Sequence, residues 1–135
     1  MVEQQIHYRD ASAQDRERVL QITEAVFGPS TFERNIEERF GVIDGRDWRW
    51  RKRRHVEADL DAPESGCVVA EHRGRVIGYV TIRYDREAKI GSIPNLAVDA
   101  EYKSRGIGRQ LIQEALREMA AFGMQVGRIE TLRQN

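Results

Sequence analysis

From Ile90 to Phe122 the sequence reads as three abutting pieces: an apolar strand, a basic turn with two glycines, and a strongly periodic helix. No other stretch restricts the fold so much. Leu111, Ile112, Ala115, Leu116, Met119 and Ala120 recur at the three-and-four spacing of one helix face, which the sequence predicts to be buried. Gly106 and Gly108 stand where that helix begins. Glycines there let backbone N–H groups turn toward a ligand, and the amides of a first helical turn have no acceptor within the helix. The helix macrodipole adds partial positive charge at the same end. Lys103, Arg105 and Arg109 add full charges. The combination suits a phosphate group held mainly by backbone. A tight strand-to-helix turn with solvated arginines is the plainer alternative. A dinucleotide fingerprint fits poorly, because Leu111 stands where its third glycine belongs.

The strand before the turn breaks its own alternation. Ile90, Ile93, Leu96 and Val98 do not share one parity, and Pro94 removes an amide from the middle. Such a pattern predicts a bulge, a feature common beside active sites.

Upstream, Gln5 to Asp10 reads as a first strand. Ser12-Ala13-Gln14-Asp15 offers a capping box for a helix whose apolar face is Val19, Leu20, Ile22, Ala25 and Val26, stopped by Gly28-Pro29. A second box, Ser30-Thr31-Phe32-Glu33, opens another helix, and Gly41 to Gly45 breaks it. Asp44 to Leu60 interleaves Arg46, Arg49, Arg51, Lys52, Arg53 and Arg54 with Trp48 and Trp50. That pattern could serve an acidic partner or nucleic acid. The plainer reading turns Trp48, Lys52, Val56 and Leu60 to the body and leaves the arginines in solvent, balanced by Glu57, Asp59, Asp61 and Glu64. Cys67 to Arg73 and Arg75 to Asp85 are apolar strands joined by a hairpin at Arg73-Gly74, and Arg86-Glu87 turns into a third strand ending at Asp99. After the long helix, Gly123 is a C-cap candidate, and Met124 to Leu132 is a last strand, parallel to the one ending at Asp99. An α/β chain of this order has a mixed sheet: an antiparallel meander plus one parallel crossover.

The 135 residues form one domain, 1–135. Equal numbers of acidic and basic residues, 22 each, leave no overall field for nucleic acid. Cys67 is the lone cysteine, which excludes an internal disulfide, and it reads as a small core hydrophobe. His7, His55 and His72 lack partners at ligand spacing, so no metal is expected. No signal peptide or membrane span is visible, which makes the cytoplasm the default.

The block from Ile90 to Phe122 resembles the acetyl-CoA-binding motif of the GCN5-related N-acetyltransferase (GNAT) superfamily: a strand, then Arg/Gln-x-x-Gly-x-Gly/Ala, then a helix. Here the motif is Lys103-Ser104-Arg105-Gly106-Ile107-Gly108, with lysine at the first position. The resemblance implies an acyl-CoA N-acyltransferase fold and direct transfer of an acetyl group to a primary amine in a ternary complex. It implies acetyl-CoA as co-substrate, bound by Leu96, Ala97, Val98, Lys103, Ser104, Arg105, Gly106, Ile107, Gly108 and Arg109. In the family the bulged strand parts from its parallel neighbour, the pantetheine arm lies in the gap bonded at positions matching Leu96 and Val98, and the Leu96 N–H stabilises the oxyanion. The glutamate that many relatives use as base falls on Pro94 here. Substitutes are Asn95 or Ser92 holding a water, Tyr84, and Glu37 or Glu38. The family's further C-terminal helix, tyrosine and hairpin have no counterpart before Asn135, so the fold is expected to be C-terminally incomplete. The bare edge that this would leave predicts a homodimer. The other class that fits is a non-catalytic CoA-binding module acting through a protein or nucleic acid.

Overall fold

The computed structural model describes residues 5–27 and 32–129. The chain runs β1 (His7–Asp10), α1 (Arg16–Val26), α2 (Phe32–Phe40), α3 (Trp48–Asp61), β2 (Ser65–His72), β3 (Arg75–Asp85), β4 (Ile90–Ile93), β5 (Leu96–Val98), α4 (Ile107–Ala121) and β6 (Val126–Ile129). These form a six-stranded sheet in the order β1-β2-β3-β4-β6, with β5 paired to β3. Every pairing is antiparallel except β4 with β6. The mixed sheet and its single parallel crossover are those read from the sequence. The Gly28-Pro29 stop, the Ser30–Glu33 capping box apart from the backbone of 32–33, and the end of the last strand from residue 130 lie outside the described residues.

The two faces of the sheet carry separate cores. On one, α4 packs Ile107, Leu111, Ala115 and Met119 against Val68, Val80, Ile82 and Ile93. On the other, Val19, Leu20, Ile22 and Val56 of α1 and α3 cover Val69, Tyr79 and Ala97. Tyr79 can be fully buried because its hydroxyl meets Thr23 Oγ1 at 2.7 Å. The Arg73-Gly74 hairpin has both central residues at positive φ, 53° and 76°, the geometry of a two-residue primed turn.

The buried face of α4 is narrower than its periodicity suggests. Leu116 is 46% exposed and Ala120 is also at the surface. Leu116 lies over Gly127 of β6, where a Cβ would come within 2.7 Å of it, and the four residues of β6 are themselves exposed. Met119 does reach the sheet, and Gly91 makes that possible: a Cβ there would lie 2.6 Å from the Met119 side chain.

A bulge sits between β4 and β5. Arg83 faces Ser92, yet Val80 faces Leu96, so Thr81 and Ile82 of β3 run alongside Ile93, Pro94 and Asn95. Thr81 N–H donates to Asn95 O at 2.9 Å, which identifies Pro94 as the extra residue. The lost alternation of Ile93 and Leu96 is this insertion: both pack on the α4 side.

Candidate active site

The bulge decides where the backbone of β5 points. Asn95 O accepts from Thr81, and Asp99 N–H donates to Ile77 O at 2.8 Å. In an antiparallel pair, hydrogen-bonded residues alternate with unbonded ones. Ala97, between these two, therefore directs its backbone at Tyr79, and Leu96 and Val98 turn their N–H and C=O groups away from β3. On that outer edge β4 has β6 as partner, through Ile93 beside Ile129. Among the described residues, β5 has none but β3. An extended chain could therefore bond at Leu96 and Val98. Ala97 contributes packing instead, with its methyl in the α1-side core.

The same edge leads into the glycine turn. Asp99 caps the short turn after β5 by accepting from Glu101 N–H at 3.0 Å, and Arg18 anchors Asp99 at 2.9 Å. The Glu101 amide, with Arg18 behind it, holds the Asp99 carboxyl below its ordinary range. Lys103, Ser104, Arg105 and Gly106 then follow as an exposed loop. Ser104 and Gly106 both have positive φ, 62° and 79°. Gly106 is the N-cap of α4 in the left-handed region, where glycine escapes the Cβ penalty. The first helical bond runs from Gln110 N–H to Gly106 O at 3.0 Å. The amides of Ile107, Gly108 and Arg109 thus lie outside the ladder. Nothing crowds them: a Cβ on Gly106 would meet no atom within 4 Å, and one on Gly108 only Val98 at 3.9 Å. A diphosphate with an extended amide arm fits this cradle, the anion on the helix end and the arm along β5. Arg109 stands exposed beside it, and Arg105 lies 5.0 Å over the Tyr102 ring.

On the opposite, α3-facing side of the bulge lies a buried polar network with no local signature in the sequence. Asn95 is 2% exposed. Its Oδ1 accepts from Lys52 Nζ at 3.1 Å, and its Nδ2 donates to Asp59 Oδ2 at 2.8 Å and Thr81 Oγ1 at 2.9 Å. Arg83 donates to Asp59 Oδ1 at 2.9 Å, and His55 approaches Asp59 at 3.4 Å. Lys52 is itself buried, with its ammonium 4.4 Å over the Phe27 ring. Two turns of α3 bring Lys52 and Asp59 onto one asparagine. Opposite charges and complete hydrogen bonding make such burial tolerable. An open cleft of about 690 Å³ borders the network, lined by Asp59, Arg83, Asp85, Glu87 and Ser92 among others.

The remaining candidates do not converge. Tyr84 packs on Phe122 with ring centroids 4.8 Å apart, on the α4 side. Its hydroxyl is buried without a hydrogen-bond partner among the described residues, and desolvation pushes it up to about 12, so it is a poor base there. Glu38 is exposed and pairs with Arg34 at 3.4 Å. Glu37 lies closer in; its buried Oε2 makes no hydrogen bond among the described residues and pairs with Arg34 at 3.8 Å. Cys67 is half-buried with its thiol pushed up to about 12 by burial, which suits a core residue rather than a nucleophile.

A family model described as "Acetyltransferase (GNAT) family" matches residues 30–135. No curated protein sequence matches the chain. Among solved structures, PaiA N-acetyltransferase from Thermoplasma acidophilum in complex with coenzyme A superposes with a TM-score of 0.72 at 20% identity, covering 97% of this chain and 82% of that one. The aminoglycoside N-acetyltransferase AAC(6')-Iy in complex with CoA gives 0.70 at 14% identity, with 99% and 82% covered. A transcriptional regulator from Bacillus halodurans C-125 gives 0.67 at 15% identity, with 97% and 85% covered. At such identities these likenesses speak for the fold alone.

Proposed function

The chain belongs to the GNAT acetyltransferase family, and we propose on that premise that it transfers the acetyl group of acetyl-CoA to a primary amine by direct attack in a ternary complex. The observation that carries the reading is the alignment of the outward Leu96 and Val98 backbone groups with the open first turn of α4. The amides of Ile107, Gly108 and Arg109, with Lys103, Ser104 and Arg105 around them, would hold the pyrophosphate. Leu96 and Val98 would hold the pantetheine arm, with Ala97 packed behind. The Leu96 N–H would meet the oxyanion that develops as the amine attacks the thioester carbonyl.

The amine must lose a proton to attack. Pro94 offers no base, and Asn95 has both ends of its amide engaged, so its role in this reading is to hold the bulge in shape. Proton removal would pass to water at the cleft beside Ser92, whose carboxylates favour the approach of a cationic amine. No side chain of this chain is assigned as the base. Tyr84 borders the same cleft, but its buried hydroxyl holds its proton too tightly for that role, and Glu38 is paired with Arg34.

The domain 1–135 is proposed to act as a cytoplasmic homodimer. Leu116, Phe122, Val126 and Ile129 are all at least 46% exposed near the β6 rim and would be covered by a second copy. No described helix is long and apolar enough to cross a membrane. Incubation with acetyl-CoA and a panel of amines, following release of CoA thiol, tests the activity. Turnover with any amine supports the enzyme. Calorimetric binding of CoA with no turnover on any amine would instead support a non-catalytic CoA-binding module. Sedimentation tests the dimer.

A further inference from the structure

The basic stretch at the start of α3 is not balanced in the way its sequence suggests. Glu57 and Asp61 pair with Arg16, Asp59 with Arg83, and Glu64 with Arg86. The carboxylates that follow the arginines in sequence are therefore taken by other elements. Arg53 finds Glu17 and Glu24 on α1. Arg46, Arg51 and Arg54 meet no carboxylate among the described residues. All three gather on one ring: their guanidinium carbons lie 4.2, 5.6 and 5.7 Å from the centroid of Trp50. Arg51 is further fixed by donating to Ile43 O at 2.8 Å. Ile43, whose carbonyl Arg51 holds, is 42% exposed, and Phe40, three residues before it at the end of α2, is 66% exposed.

We propose that this face of α2 and α3 is a docking surface for an acidic segment of a protein partner, glutamate- or aspartate-rich with an apolar residue beside the charges. Guanidiniums stacked on a ring lose little freedom when they bind, and their free edges present paired N–H donors that match carboxylates. Phe40 and Ile43 give the apolar neighbour a place to pack. Nucleic acid suits the surface less. Arg46 lies 4.2 Å over the Trp50 ring, so that face is not open to a base, and base stacking on aromatic rings is a principal part of sequence-tolerant single-strand binding. Asp44, Asp47 and Glu38 are interspersed with the arginines, and a continuous polyanion or an anionic bilayer would meet them as like charges. A peptide can space its carboxylates around them. The proposal concerns the outer side of α3 and is independent of acetyl transfer.

The test uses the whole chain and a fluorescein-labelled peptide carrying consecutive glutamates next to a leucine, read by polarisation. Binding should weaken about tenfold or more as salt rises from about 0.05 to 0.5 M. It should also fall about tenfold in the Arg46→Glu/Arg54→Glu variant, whose two side chains stack on Trp50 and make no ion pair among the described residues. A circular-dichroism melt checks that this variant is folded, and Arg46→Gln/Arg54→Gln serves if it is not. Absence of binding, or equal binding by wild type and variant, overturns the proposal. So does tighter binding of a single-stranded oligonucleotide or of phosphatidylserine vesicles than of the peptide.

Discussion

The two polar regions that flank β5 are built in opposite ways. The glycine turn at the start of α4 is a site made of backbone: exposed, uncrowded, and with its amides left over. The Asn95 network on the other side of the bulge is made of side chains, is buried, and has its donors and acceptors matched. The first is suited to receive a charged ligand because none of the described residues satisfies it. The second is suited to hold a shape because everything in it is satisfied. One region should answer to mutation in affinity and the other in stability.

The largest effect expected is on the side-chain network. Asp59→Ala leaves Arg83 without its carboxylate and Asn95 Nδ2 short of an acceptor, and should cost about 3–5 kcal/mol in a denaturant melt. A loss under about 1 kcal/mol would mean the network is ornamental and the comparison fails. Next comes Gly108→Glu, which sets a carboxylate among the α4 amides. CoA binding by calorimetry should fall about a hundredfold or more. Its melting temperature should hardly move, because a side chain there meets only Val98. Gly108→Ala should fold equally well and so shows how closely the ligand approaches the backbone.

Smaller effects sharpen the contrast. Gly106→Ala forces a Cβ into the left-handed region and should cost about 1 kcal/mol of stability, in a turn where otherwise only binding is at stake. At the other end of α4, Glu118 is pushed up to about 8, mainly by desolvation and then by its hydrogen bond with Asp10. A carboxyl raised in the folded state binds its proton more tightly there than in the unfolded chain. Stability should therefore decline as pH rises from the ordinary glutamate range, about 4.3, to about 8. Glu118→Gln should flatten that decline, raising the melting temperature at pH about 8 and leaving it nearly unchanged at pH about 4. Thermal melts across this range give the sign directly.

The contrast also explains what could be read from the sequence. The glycine turn was legible because its parts are consecutive: strand, basic loop and periodic helix from Ile90 to Phe122. The bulge was legible as a parity fault around Pro94. Backbone direction at Leu96 and Val98 was implied only by resemblance, and needed the register of β3 to derive it. The Asn95 network was not legible at all. Its members are brought together across 43 residues for Lys52 and 36 for Asp59. They come from a helix whose composition reads as solvated charge. The body-facing Lys52 was foreseen, but nothing local says what it meets. The balance of the α3 arginines by Glu57, Asp59, Asp61 and Glu64 is a misreading for the same reason: proximity in sequence is a poor guide to ion pairs when Arg16 of α1, Arg83 of β3 and Arg86 just after it compete for those carboxylates. Leu116 and Ala120 fit the helical period, yet the described part of the sheet leaves them exposed.

Pro94 has a consequence in the arithmetic of insertion and deletion. Every pair that β5 makes with β3, and every pair that β4 makes, would survive its removal, because Asn95 already occupies the place opposite Thr81. A chain one residue shorter could keep the same neighbours, the same buried faces and the same outward amides. What it would lose is the bend. A bulge turns its strand, and a straight strand would carry on along the line of β4. The difference between a sheet that is complete and a sheet with room for a guest can thus rest on a single imino acid that belongs to no ladder.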